Sequence, residues 1–198
     1  MLDSFDLFEE YDAAIRRAGS PEARAWREPF FPRSAVLMGL GGSLARINTD
    51  RSGRYEPTDE GGHPAILCPI WEGPAPGRPE DLIDLVAWVP KTNRMFSRLG
   101  HAEVIGEYAL LPPIWDPVRV FPDPGAWARA ATWDDNGGHG IVVVRWDRVW
   151  HRLGGLPSIV VDDIALGQRL REALKPPPPP PAPRILVAAS ASAKGDAA

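Results

Sequence analysis

The chain has 198 residues, 44% of them hydrophobic, which is enough for one domain with a sizeable core. Its single cysteine excludes an internal disulfide, and its formal net charge of −4, with the basic residues scattered, gives nucleic acid no bulk attraction although a local patch stays compatible. No stretch approaches the roughly 20 apolar residues of a membrane-spanning helix, and the acidic start lacks the pattern of a secretory signal, so the expected place is the cytoplasm and no membrane partner is expected.

The first predicted element is a helix. Asp3 is placed to cap it, with Leu2 and Leu7 at staple spacing, and Gly19 stops it. Phe5, Phe8, Asp12 and Ile15 fall near one face, which is expected to dock on a sheet. Residues 21–45 are harder to read: residues 34–44 suit a short helix or a buried strand. The run Gly39-Leu40-Gly41-Gly42-Ser43 lacks the Lys-Ser/Thr of a phosphate loop and reads as a packing turn.

Residues 45–48 look like a strand edge, and residues 51–62 like a polar turn. Residues 65–71 read as a strand that Pro69 pushes to an edge or a bulge. Residues 82–89 form the next strong strand, paired through Pro90-Lys91-Thr92-Asn93 with residues 95–99 as a meander. Residues 102–111 have helical composition and end at Pro112-Pro113. A short strand is expected at 118–121, and Asp123-Pro124 opens a helix carrying Trp127 and Ala131. Residues 134–138 read as an open turn.

Residues 141–174 alternate strand, helix, strand, helix. Trp146, Val149, Trp150 and Leu153 share one helical stripe, as do Leu166, Leu170, Ala173 and Leu174. Strands 141–144 and 159–161, joined through a helix, should be parallel. The fold class is therefore α+β: a mixed sheet with an antiparallel meander and a C-terminal βαβα unit, its helices packed on the sheet. This domain covers residues 1–175. Residues 176–198 read as a proline-rich, largely disordered tail, opened by Pro176, Pro177, Pro178, Pro179, Pro180 and Pro181, with an apolar anchor at Ile185, Leu186 and Val187.

Chemistry is sparse in this pattern. His63, His101, His139 and His151 stand at no metal-ligand spacing, and no cofactor motif is present. Cys68 lies in an apolar run and reads as a buried thiol. Asp162 and Asp163 end an apolar strand, a position that suits Mg²⁺ ligands or bases if Asp84 and Asp81 converge on them. The simpler reading makes Asp163 a helix cap and leaves Asp162 in solvent. Arg145, Arg148 and Arg152, interleaved with tryptophans, offer a possible nucleic-acid surface, against core packing for those tryptophans. A proline run docks in aromatic grooves at low entropic cost, or serves as a spacer.

Residues 82–89, 98–110 and 141–174 carry a pattern that resembles small uncharacterised proteins of proteobacterial prophage or mobile-element regions. The resemblance spans about residues 60–175 and implies a cytoplasmic setting near phage replication genes, with no active-site residue carried over. The leading expectation is a non-enzymatic accessory protein that binds an unknown protein partner through its tail. The alternatives are a metal-dependent enzyme acting on nucleic acid or nucleotide through Asp84, Asp162 and Asp163, and a DNA-binding accessory protein.

Overall fold

The computed structural model describes residues 4–72, 78–111, 117–133 and 140–175. The chain is α+β, but the expected single mixed sheet is two sheets. One is antiparallel, in the order β2-β1-β3-β4-β5; the other is mixed, in the order β6-β8-β7-β9. The strands are β1 (Ser43–Thr49), β2 (Tyr55–Thr58), β3 (His63–Trp71), β4 (Leu82–Val89), β5 (Arg94–Ser97), β6 (Val104–Ile105), β7 (Val118–Phe121), β8 (Gly140–Val143) and β9 (Ile159–Val160). The helices are α1 (Ser4–Arg17), α2 (Pro21–Arg27), α3 (Arg33–Leu37), α4 (Pro124–Trp133), α5 (Val149–Leu153) and α6 (Ile164–Ala173).

The near-continuous apolar runs of β3 and β4 follow from burial on both faces. Ala65, Leu67, Leu85 and Ala87 face α1, whereas Ile66, Cys68, Val86 and Trp88 face the second sheet. Helix α1 does dock on the antiparallel sheet, but through Leu7, Tyr11 and Ala14 rather than the expected stripe; Phe5 is 62% exposed and Ile15 46%. The sheet curls until its two edges approach: Ser97 N–H donates to the Gly53 carbonyl at 3.1 Å, and Arg54 bridges Ser97.

Pro69 does not put β3 at an edge of the sheet, because β3 pairs with both β1 and β4. The pairing with β1 ends at Leu67, whose carbonyl accepts from Gly42 N–H, and odd-numbered residues point their polar groups that way. The missing N–H of Pro69 therefore faces a side where β1 has already ended, and the predicted irregularity appears at Ile70/Trp71. Strand β1, read as a strand edge, is interior. Residues 102–111 are not an α-helix: they hold β6 and a 3₁₀ turn over Glu107–Leu110. Gly106 breaks the helix at φ 81°, where a Cβ would lie 2.5 Å from the Gly140 carbonyl.

The 21–45 region contains α2, with Ser20 accepting from Ala23 N–H at 3.1 Å, and then α3. Its glycine run is the packing turn expected. At Gly42, φ is 93° and a Cβ would meet Val36 at 2.5 Å. The meander of β4 and β5 is as read from the sequence.

Strands β8 and β9 are parallel in one sheet, each beside β7, which lies between them. The α4 crossover packs between the sheets through Trp127 and Ala128, and α5 packs on the outer face through Val149 and Leu153. Two right-handed crossovers running in opposite directions require opposite faces. The residues called a tail, 176–198, lie outside the described residues, as does the 134–138 turn. No helix among the described residues is long and apolar enough to cross a membrane.

Candidate functional site

The three candidate carboxylates are not brought together. Asp84 sits in the antiparallel sheet, fully buried, and Asp162 and Asp163 follow β9 in the other. Asp84 is used up structurally. Its Oδ1 accepts from Leu85 N–H (2.7 Å) and Leu99 N–H (2.9 Å), and its Oδ2 from the Ser97 hydroxyl, His101 N–H and Ala102 N–H (both amides at 2.8 Å). The carboxylate thus folds residues 97–102 around itself, the arrangement by which a buried charge without a cation becomes tolerable. Asp163 caps α6, accepting from Leu166 N–H at 2.6 Å, and Asp162 is exposed with Arg119 3.8 Å away. No group of three or more metal-ligating side chains occurs among the described residues.

The other polar candidates are also engaged. Arg148 and Arg152 pair with Glu103, Arg152 also with Glu107, and Arg145 with Asp147, so the expected basic surface carries its own counter-charges. The Cys68 thiol is buried, and burial raises its pKa to about 12, which keeps it protonated and unreactive. Arg98 joins α1 to β2: it contacts Glu10 at 2.9 Å and Glu56 at 2.8 Å, while the Tyr55 hydroxyl donates to Glu10 at 2.9 Å. Burial opposes the charge on Arg98, but the two glutamates outweigh it and raise the guanidinium pKa. Arg27, also buried, donates to the Gly42 carbonyl at 3.3 Å and braces the glycine turn.

The sequence did not point to an apolar cavity of about 200 Å³ where α3, the end of β3 and the 3₁₀ turn after β6 meet. Met38, Leu40, Ile70, Trp71, Tyr108 and Trp127 line it. What makes it a site rather than a packing defect is its rim, which is apolar and open to solvent, with Met38 51% exposed and the preceding Leu37 78% exposed. A ligand that supplies an apolar group fits it. These residues come from four distant segments, so no spacing betrays them; the only sequence signal is Leu37-Met38 standing before a glycine turn.

No family model, curated protein or solved structure matches this chain.

Proposed function

We propose that this protein acts by binding, as an accessory protein that captures a protein partner, and that the cavity beside Met38 is its anchor. The observation that carries this reading is the pairing of an exposed apolar rim with a cavity smaller than those that enclose drug-sized ligands. Pockets that enclose drug-sized ligands run to roughly 300–1,000 Å³, whereas this one holds about 200 Å³, room for one large side chain. Exposed apolar clusters of this kind mark interaction sites, and methionine is enriched in them. The partner inserts an apolar side chain.

The residues 176–181 and Ile185-Leu186-Val187 enter the proposal on composition alone, as a second attachment that docks in an aromatic groove of the partner. A place in a phage-like element rests on the resemblance in patterning and belongs to the same proposal.

The test is quantitative capture of partners by the full chain, by Leu37→Glu/Met38→Glu, and by a chain ending at Lys175. Both substituted side chains are exposed, so folding is preserved. The expected result is a specific set of proteins lost with the double substitution and weakened without the tail. Capture of the same set by the double variant overturns the cavity assignment. The same set captured without the tail removes the tail from the reading.

A further inference from the structure

In the mixed sheet the order β6-β8-β7-β9 leaves β9 at an edge, and no strand among the described residues pairs with its far side. Proteins normally cover or blunt such edges, because the unpaired N–H and C=O groups accept any extended chain. Two apolar side chains stand exposed here. Val160 on β9 is 36% exposed, and Ile164, at the start of α6, is 81% exposed.

The path of the chain through β9 points to what belongs beside it. Helices α5 and α6 pack in the same outer core, through Val149, Leu153, Leu166 and Leu170. From β8 the chain crosses that face, over β7, to reach β9. A crossover from β9 over the same face and with the same right hand steps in the same direction. That step ends at the open edge.

Helix α6 leaves room for an added strand. Its Ala165 and Arg169 turn toward β8, where they line a cavity with Val143 and Trp146. Val161, Ile164, Gly167 and Arg171 line a groove of about 250 Å³ on the flank of α6 turned away from β8. A Cβ at Gly167 would lie 3.2 Å from Val161, so the glycine keeps this groove clear. Beyond Lys175 the sequence holds one run of strand-favouring residues, Ile185-Leu186-Val187. The chain from Lys175 to Ile185 reaches up to about 30 Å when extended, against about 10 Å between the packed layers of a domain.

We propose that Ile185-Leu186-Val187 of the same chain adds to β9 as a further, parallel strand of the mixed sheet. Val160 lies opposite Arg119 and so points to the inner face, while Val118 points into the outer core. With Leu186 beside Val160, alternation puts Leu186 over Val160, and Ile185 and Val187 enter the groove against Val161 and Ile164. Pro183 stands ahead of the run, where its missing N–H costs the ladder nothing. The groove shares no lining residue with the cavity beside Met38, so the inference stands apart from that assignment. A partner that takes this run, as proposed above, has to lift it from β9 first.

The experiment is amide hydrogen exchange of the full chain, read as protection over residues 159–161 and 185–187. Both segments should be protected about tenfold or more over Leu186→Gly/Val187→Gly, which removes the docking side chains. Ile164→Ser, at an exposed site that leaves the fold intact, should lower protection of both segments in the same direction. Leu37→Glu/Met38→Glu should give the wild-type pattern, so failure of the partner reading leaves this one standing. The inference is overturned if residues 185–187 exchange at the rate of an unstructured chain, or if protection of 159–161 is unchanged in both the glycine and the serine variant. Protection that rises with protein concentration also overturns it, because the run would then lie on a second copy.

Discussion

The two sheets use their charged groups in opposite ways. In the antiparallel sheet charge is turned inward: Asp84 receives five hydrogen bonds, and Arg98 is held between Glu10 and Glu56. In the mixed sheet charge is turned outward, to the strand ends, where exposed Asp162 lies 3.8 Å from Arg119. A buried carboxylate is a common mark of an active site, yet here full burial and full satisfaction go together, and every lone pair that chemistry needs is already taken. The groups with capacity left to bind are the less conspicuous ones on the rims.

The largest effect that tests this contrast is Asp84→Asn. The shape is kept and Oδ1 still accepts, but an amide nitrogen now confronts two backbone N–H donors and the Ser97 hydroxyl. Orphaned buried donors cost about 1–3 kcal/mol each, so a loss of about 3–5 kcal/mol is expected in urea unfolding. A loss below about 1 kcal/mol would show that the 97–102 loop is not organised by this carboxylate.

A second test of the inward-facing half is alkaline pH. Burial raises the Tyr11 phenol to about 12 from its ordinary value near 10, with Ser43 opposing. The folded state thus holds its proton where the unfolded chain releases it. This stabilisation is complete below pH 10 and is lost as pH rises toward about 12, at about 1.4 kcal/mol per unit. Tyr11→Phe removes the titrating group, so its stability should fall less steeply than that of the wild type by about 2–3 kcal/mol over that window. Parallel curves for the two proteins, measured by denaturant unfolding, would break the assignment.

How much of this was legible depends on which physical signal each residue carries. Strands β4 and β8 are readable because burial leaves apolar runs, β7 because Val118 and Val120 alternate with exposed Arg119, and the caps Asp123 and Asp163 because capping is local: each accepts from the amide three residues on. Helix α2 carries the same grammar in Ser20-Pro21. The helix expected over 102–111 fails for a non-local reason, the approach of Gly106 to the Gly140 carbonyl. The docking face of α1 differs from its most hydrophobic stripe because Phe5 and Ile15 outrank Ala14 in hydrophobicity, while the close approach to the sheet favours the smaller residue. The cavity beside Met38 gathers residues from four segments far apart in the chain, which no local spacing displays.

The smallest expected effect sharpens the comparison from the outward side. Asp163→Ala removes the acceptor for Leu166 N–H at the start of α6 and should cost about 1 kcal/mol, as other lost caps do. Asp162→Ala, next to it, removes only a pair with Arg119 at 3.8 Å between side chains 69% and 47% exposed, and should change stability by no more than about 0.5 kcal/mol. The two neighbours stand in the same strand-end motif and were equal candidates for a metal or a base. Equal and small effects on stability, together with a change in melting temperature on adding Mg²⁺ that both substitutions abolish, would return them to a shared catalytic role. Unequal effects, with no response to Mg²⁺ in any of the three proteins, are what a cap beside a solvated side chain must give.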